Sequence, residues 1–143
     1  MFDASIYDAT SVPSNIGILF TDRKGGFSLP PYDRLNLATH VGDDLDTVQR
    51  NRELLNSALP NRPIWLNQVH GCEVFDADDW DGCQIPTADA AVTTKANQVL
   101  AIMTADCLPI LLTSKCGSVV GAVHAGWRGL ASGLIEKTIQ AMQ

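Results

Sequence analysis

The chain has 143 residues and a formal net charge of −6, with 45% apolar and 18% charged residues. These proportions predict one globular domain with a hydrophobic core, and they exclude a disordered chain. Because the chain is acidic and has no basic cluster, we expect no nucleic-acid partner, although a local basic pocket for a small anion is compatible with this composition.

The N-terminal stretch "MFDASIYDATSVPSN" has neither the positive segment nor the apolar segment of a secretory signal. The longest apolar run, 99–113, is interrupted by Asp106 and Pro109 and is too short to span a bilayer. We therefore expect a cytoplasmic protein without a membrane partner. In that compartment free thiols or metal ligands are expected rather than disulfides, and this applies to Cys72, Cys83, Cys107 and Cys116.

The first part of the chain predicts a strand, a loop and a helix. "NIGILFTDR" (15–23) has the pattern of a strand, and the stretch 27–44 is rich in Pro, Asn and Gly and predicts an ordered loop. A helix follows, capped by Asp44 or Asp46 and ended by Pro60. Its apolar residues recur at helical spacing, at Leu45, Val48, Leu55 and Leu59.

The second part predicts strands followed by a helix. Strands are expected at 63–69, at 72–78, which is a candidate partner for the first, and at 87–95. Two apolar strands, "VLAIMTADCLPILLTS" and "SVVGAVHA", are joined by the turn "KCG". A helix is predicted from Gly129 to the end of the sequence, with one apolar face formed by Leu130, Leu134, Ile135, Ile139 and Met142. The pattern predicts an α/β protein with mixed β-sheets flanked by helices in layers.

The apolar stretch "AIMTADCLPILL" places Asp106 and Cys107 side by side. An unpaired carboxylate is costly in a hydrophobic core. We therefore expect the pair to lie at a cleft.

The three histidines, His40, His70 and His124, all stand in loops or at strand ends beside small residues. Imidazole nitrogen and thiolate are ligands that zinc prefers, and three protein ligands leave a fourth position open for water. His70, Cys107 and His124 are such a set, although they are 37 and 17 residues apart. Their spacing leaves open a plainer interpretation, in which Cys107 is a buried thiol and the histidines are ordinary loop residues.

The same residues also fit nucleophilic catalysis. Cys107 would be the nucleophile, with His124 or His70 as its base. Asp89 and Asp106 would orient a histidine or accept a proton, and the capping of a turn is the plainer role for each. The sequence does not separate this hypothesis from zinc binding.

Several polar residues are candidates for contact with a substrate. In "VHAGWRGL" a glycine-rich turn leads into a helix, and Arg128 adds a cation, so that an anion is a suitable ligand. Arg23 is a second candidate for an anion, and an exposed turn residue is its plainer role. Asn67 and Gln68 carry amides suited to a polar heterocycle, or they are polar residues at a strand end.

Five blocks occur in one order along the chain: "FTDRKGGFSLPPYDRLNLATHVGDD", "NQVHG", "ADAAVTT", "TADCLPILL" and "VGAVHAGWRGL". Together they resemble the YfiH family, also called the laccase domain or the multicopper polyphenol oxidoreductase-like proteins. The resemblance runs from about Ile16 to the final helix. It implies that His70, Cys107 and His124 are zinc ligands, and that the Asp106–Cys107 pair faces a metal cleft.

The resemblance also implies a function. Members resemble phosphorylases that split adenosine, inosine or methylthioadenosine with phosphate and that deaminate adenosine. Asp106, Cys107 and His124 are then expected to be catalytic. Arg23, Asn67, Gln68 and Arg128 are expected to bind the nucleoside and phosphate. Bacterial relatives are also linked to the editing of peptidoglycan precursors. A laccase would need several coppers, for which three histidines are too few.

Members of the family are longer than this chain and carry a further segment with a "GPC"-type motif. The predicted final helix reaches Gln143 without a glycine or proline to end it. We therefore expect residues 1–143 to form a single domain of the family from which the C-terminal part is missing. Oligomeric state has no signature in the sequence.

Overall fold

The computed structural model describes residues 4–5 and 12–143. The chain divides into two compact units, residues 1–60 and residues 61–143, which are described separately. Both contain helix and strand, and the sheets mix parallel with antiparallel pairs, so that the predicted α/β class is confirmed. The prediction of a single family domain over residues 1–143 stays a prediction.

The first unit contains one strand pair and one helix. Strand β1 (Ala4–Ser5) pairs antiparallel with β2 (Phe20–Thr21), so the strand predicted at 15–23 is shorter than expected. Helix α1 spans Leu45–Asn56, and it begins where predicted because the side chain of Asp44 accepts a hydrogen bond from the backbone N–H of Thr47 at 2.8 Å.

The loop 27–44 is ordered by a buried side chain from α1. Asn51 is fully buried, and its Oδ1 accepts a hydrogen bond from the N–H of Phe27 at 2.8 Å. Its Nδ2 donates to the hydroxyl of Ser28 and to the carbonyl oxygens of Arg34 and Asn36. This one amide satisfies several backbone groups of the loop, which explains how an irregular segment packs on a helix.

The second unit is built on a four-stranded sheet. Strands β3 (Pro63–Ile64) and β6 (Val99–Leu100) form a separate parallel pair. The larger sheet has the order β4-β5-β8-β7, and its strands are β4 (Val74–Asp76), β5 (Ala90–Thr93), β7 (Leu108–Thr113) and β8 (Val120–Ala125). Strands β4 and β5 are parallel, whereas β8 is antiparallel to both β5 and β7. A single 3₁₀ turn, Ala77–Asp79, follows β4.

Two predictions about the strands are wrong. The stretch 72–78 was expected to pair with 63–69, but β4 pairs with β5 instead. The apolar run that begins at Val99 was expected to be one strand, but it forms β6 and β7, with residues 101–107 in an irregular connection between them. An alternating pattern marks a strand without marking its partner.

The predicted C-terminal helix is two helices, α2 (Trp127–Ala131) and α3 (Leu134–Ala141). They are separated at Gly133, which has a left-handed φ of 79° that favours glycine. The predicted apolar face is only partly correct, because Leu134 is fully buried whereas Ile139 is 45% exposed.

Helix α3 packs on one face of the sheet. The core on this face consists of Ala90, Val123, Ala125 and Leu134. The approach of the helix depends on Gly121 in β8, where a Cβ would lie 3.0 Å from Sδ of Met142 and 3.2 Å from Cγ2 of Thr138. A second core, on other residues of the same unit, consists of Leu66, Ala88 and Ala91.

Within the described residues, no helix has both the length and the apolar character needed to cross a membrane.

Candidate metal centre

Two of the candidate ligands lie at neighbouring ends of β7 and β8. The antiparallel register pairs Pro109 with His124 and Leu108 with Ala125. Cys107 is the residue before β7, and the same ladder therefore brings Cys107 beside the end of β8 that carries His124. Ligands that are distant in sequence converge because the two strands form a hairpin.

The carboxylate that holds His124 comes from the start of β5. The pairing of Ala90 with Val123 places Asp89 opposite His124. The backbone N–H of His124 donates to the carbonyl oxygen of Asp89 at 2.7 Å, and Nδ1 of the ring lies 2.8 Å from Oδ1 of the carboxylate. Both residues are buried. With Nδ1 engaged, Nε2 is the ring nitrogen left for a metal ion.

The same carboxylate holds the loop that carries His70. It accepts hydrogen bonds from the backbone N–H groups of Val69 at 3.1 Å, His70 at 2.8 Å and Gly71 at 2.8 Å. Successive N–H groups converge on one anion where the backbone turns sharply, and His70 has a φ of 58°, in the left-handed region. Asp89 therefore fixes the position of His70 as well as that of His124.

The environment of Asp89 favours its ionised form. Burial by itself raises the pKa of this carboxyl, but the hydrogen bonds from His124, Gly71, Val69 and His70 outweigh burial, and the pKa lies below its ordinary value. Asp89 is therefore a carboxylate at neutral pH and accepts from all of these donors.

The geometry of the three candidate ligands fits one metal ion. The ligand atoms of His70, Cys107 and His124 all lie within 4.8 Å of one another, and Sγ of Cys107 is 3.8 Å from Nε2 of His70. Zinc bonds of ~2.3 Å to sulfur and ~2.1 Å to nitrogen would separate two tetrahedral ligands by about 3.5 Å. His124 is buried, Cys107 is half-buried and His70 is exposed, so that the group is open to solvent on one side.

A glycine leaves room for the ligands. At Gly126, the residue that precedes α2, a Cβ would lie 3.1 Å from Cδ2 of His70 and 3.2 Å from Sγ of Cys107. A side chain at this position would press on two of the three candidate ligands. Gly126 is thus part of the wall of the site.

The predicted catalytic Asp106 lies in the connection between β6 and β7, and it is exposed. It stands next to Cys107 in sequence, and both its expected place at the metal cleft and its catalytic role stay predictions. The buried carboxylate of the site is Asp89. The orientation of a histidine is among the roles that the sequence predicted for it. The hold of Asp89 on the His70 loop was not predicted, because nothing in "NQVHG" indicates where its backbone donors find an acceptor.

The predicted substrate-binding residues have different surroundings. Arg128 is exposed in α2, and its guanidinium carbon lies 5.4 Å from the centroid of the Trp127 ring. Asn67 is exposed, and its amide donates to the hydroxyl of Thr87 at 3.1 Å. Arg23 belongs to the first unit, where its carbonyl oxygen accepts hydrogen bonds from the N–H groups of 34 and 35.

Gln68 differs from these residues because both polar atoms of its amide have backbone partners. Nε2 donates to the carbonyl oxygen of Met103 at 2.7 Å, and Oε1 accepts from the N–H of Met103 at 2.9 Å. The contact with substrate expected for Gln68, as for Arg23, Asn67 and Arg128, stays a prediction.

Comparisons with known proteins agree with the fold and the motifs. The chain is 45% identical over 129 residues to "Purine nucleoside phosphorylase YfiH" of Escherichia coli (strain K12), covering 89% of this chain and 53% of that protein. It is 46% identical over 135 residues to a purine nucleoside phosphorylase of Haemophilus influenzae, covering 93% of this chain and 54% of the relative. The chain thus spans about half the length of the curated relatives that it matches.

Solved structures show the same arrangement of elements. A Neisseria meningitidis protein superposes with a TM-score of 0.88 at 43% identity, covering 99% of this chain and 57% of that one. The protein YlmD of Geobacillus stearothermophilus superposes with a TM-score of 0.75 at 35% identity, covering 84% of this chain and 48% of that one. Residues 17–143 match the family described as multi-copper polyphenol oxidoreductase laccase, and the chain belongs to this family, which includes the YfiH proteins.

Proposed function

We propose that this chain belongs to a zinc-dependent purine nucleoside phosphorylase that also deaminates adenosine. The observation that carries the proposal is the convergence of His70, Cys107 and His124 on one open site. The names of the relatives in Escherichia coli and Haemophilus influenzae support the phosphorylase activity. Zinc, the deaminase activity and the particular nucleosides are parts of the proposal.

The residues of the candidate site have separate proposed roles. His70, Cys107 and His124 would hold the ion, and bound zinc supplies a Lewis acid and lowers the pKa of water. Asp89 keeps His124 in the tautomer that presents Nε2. Because the site is open on the side of His70, a substrate has access to it.

The two proposed reactions use different co-substrates and break different bonds of the nucleoside. In phosphorolysis the C1′–N9 bond of the nucleoside breaks and a C1′–O bond to phosphate forms, which gives the free base and ribose 1-phosphate, or 5-methylthioribose 1-phosphate from methylthioadenosine. In deamination water replaces the C6 amino group of adenosine, which gives inosine and ammonia. Arg128 is a suitable ligand for the phosphate because its guanidinium presents several donors. The proposed substrate roles of Arg23, Asn67 and Gln68 rest on the family resemblance.

The test measures products and binding together. The zinc-loaded chain is incubated with adenosine, inosine or methylthioadenosine, with and without phosphate, and products are separated by chromatography with mass detection. Equilibrium dialysis with the same nucleosides measures binding. We expect phosphate-dependent release of free base that is lost in His124→Ala and on chelation. The proposal would be contradicted if the chain released no free base and bound no nucleoside. Binding without turnover would favour a nucleoside-binding protein that is not an enzyme.

A second candidate is a hydrolase in which Cys107 is the nucleophile, with a peptidoglycan precursor as one possible class of substrate. The observation that favours it is the 3.8 Å separation between Sγ of Cys107 and Nε2 of His70, which also suits a thiol and its base. This candidate predicts that a chelator leaves activity intact and that an electrophilic substrate analogue forms an adduct on Cys107. Zinc ligation predicts that chelation abolishes activity and that zinc protects Cys107 from the electrophile.

A further inference from the structure

The connection that carries Cys107 has little secondary structure to hold it. Residues 101–107 leave β6 and enter β7 without forming a strand. Within the part of the chain that the structure describes, the hydrogen bonds that tie residues 102–106 to the rest of the chain are the pair between Met103 and Gln68. Ile102 packs against the core of Leu66, Ala88 and Ala91, and the backbone beyond it is held by hydrogen bonds from one side chain, that of Gln68.

The amide of Gln68 binds Met103 in the way that a neighbouring strand would. Its Nε2 donates to the carbonyl oxygen of Met103 at 2.7 Å, and its Oε1 accepts from the N–H of the same residue at 2.9 Å. Both distances are those of good hydrogen bonds. A primary amide matches a peptide group in this way because it carries a donor and an acceptor side by side.

These two hydrogen bonds connect the loops of two candidate ligands. Gln68 stands two residues before His70, and Met103 stands four residues before Cys107. The Sγ of Cys107 and the Nε2 of His70 are 3.8 Å apart. We propose that Gln68 is a positioning residue of the metal centre, and that its amide sets the separation of Cys107 from His70. This inference rests on the metal centre of the proposed function.

The consequence of losing the amide is specific to one ligand. Asp89 holds His70 and His124 together through hydrogen bonds that do not involve Gln68. Removal of the Gln68 amide therefore leaves the two histidines in place and loosens the connection on the N-terminal side of Cys107, while β7 still holds its C-terminal side. Second-sphere partners of this kind affect metal affinity by roughly 10- to 100-fold when they are removed. The bond from the metal to sulfur should weaken more than the bonds to nitrogen.

The experiment compares Gln68→Met with a matched control. Methionine keeps the length of the side chain and removes both hydrogen bonds, and Gln68→Glu keeps only the acceptor for the N–H of Met103. The control is Gln98→Met in the same unit, which also removes two hydrogen bonds of a glutamine amide: the one that Nε2 donates to the carbonyl oxygen of Ala77 at 3.0 Å, and the one that Oε1 accepts from the hydroxyl of Thr93. Each metal-free chain is titrated with Zn²⁺ against a competing chelator and with Co²⁺ under an absorption spectrometer, and circular dichroism checks the fold.

We expect zinc affinity to fall roughly 10- to 100-fold in Gln68→Met. The sulfur-to-cobalt charge-transfer band should weaken in the same variant, Gln68→Glu should lie between it and the wild type, and Gln98→Met should match the wild type. Wild-type affinity and spectrum in Gln68→Met would overturn the positioning role alone. If the wild-type chain binds no metal, the metal centre itself fails. If Gln68→Met does not fold, the comparison between Gln68→Glu and the wild type decides the question.

Discussion

The carboxylate of Asp89 lies 2.8 Å from Nδ1 of His124 and also accepts a hydrogen bond from the backbone N–H of His70 at 2.8 Å. One buried anion thus fixes the ring of one candidate ligand and the backbone of another. The two histidines are 54 residues apart in sequence, and each of them is hydrogen-bonded to Asp89. Asp89 therefore positions two of the three candidate ligands, and a metal ion would join an existing arrangement of these two histidines.

Asp89→Asn tests this arrangement. Asparagine replaces one carboxylate oxygen with an NH2 group, which donates instead of accepting. Because four N–H groups converge on the carboxylate, at least one of them then loses its acceptor. We expect the free energy of unfolding, measured by urea titration with a chelator present, to fall by at least about 2 kcal/mol. Zinc affinity should fall roughly 10- to 100-fold. Asp79→Asn, which changes an exposed carboxylate, is the control, and an equal effect there would contradict the role of Asp89.

The pH dependence of the unfolding free energy also tests the role of Asp89. The pKa of Asp89 is depressed in the folded state, and its contribution is therefore complete above the ordinary carboxyl pKa of ~3.9 and is lost as the pH falls through the depressed value. The difference in unfolding free energy between the wild type and Asp89→Asn should shrink as the pH falls below about 4. A difference that grows in acid would contradict the depressed pKa.

Gly126→Ala tests the space around the ligands. The added Cβ would lie 3.1 Å from His70 and 3.2 Å from Cys107, closer than such atoms normally approach. We expect zinc affinity to fall on the order of tenfold, since a displaced ligand loses its bond length and angle. Gly17→Ala, where nothing lies within 4 Å of the new Cβ, should bind zinc like the wild type. Unchanged affinity in Gly126→Ala would show that the site has more room than its structure indicates.

Cys116 is an exposed free thiol. An experiment that labels Cys107 must therefore distinguish the two cysteines. Sγ of Cys116 is exposed in the turn between β7 and β8, and hydrogen bonds with Ser118 and Ser114 lower its pKa to about 7. Its thiolate is thus half populated near neutral pH, and alkylation by iodoacetamide should reach half its limiting rate near pH 7. In Ser118→Ala this midpoint should move toward the ordinary thiol value of ~8.5. Peptide mass mapping measures both, and an unmoved midpoint would contradict the role of Ser118.

Gly133→Ala tests the break between α2 and α3. Alanine must adopt the left-handed φ of 79° that Gly133 has, which costs about 1 kcal/mol in unfolding free energy. Asparagine tolerates this conformation better, and Gly133→Asn should therefore cost less. Urea denaturation of both variants measures the difference. If alanine is neutral or stabilising, the chain between the helices would have another conformation available.

The sequence predicted features that depend on neighbouring residues. The start of α1 followed from Asp44, because a capping carboxylate acts on an N–H three residues away. The residue types of His70, Cys107 and His124 suited a metal site without deciding for one, and the resemblance to the YfiH family implied that they are its ligands. Their convergence is now explained by the hairpin of β7 and β8 and by Asp89.

Features that depend on distant partners were not predictable in the same way. The partner of β4 is β5 rather than 63–69, and the alternating pattern of a strand is satisfied by either neighbour. The long helix predicted from Gly129 is interrupted at Ser132 and Gly133, because "SG" is a turn signal that a helical repeat of apolar residues does not reveal. The pairing of Gln68 with Met103 joins residues 35 positions apart, and no local pattern marks it.

The most direct test of the central claim is the metal content of the purified 143-residue chain. Elemental mass spectrometry is applied to the wild type, to His70→Ala and Cys107→Ala, and to His40→Ala, a histidine of the first unit, as the control. We expect about one zinc per wild-type and His40→Ala chain and a loss of zinc in the other two variants. The absence of metal from the wild type, or zinc that persists in both ligand variants, would contradict a metal centre at His70, Cys107 and His124, and copper in its place would contradict the assignment of zinc.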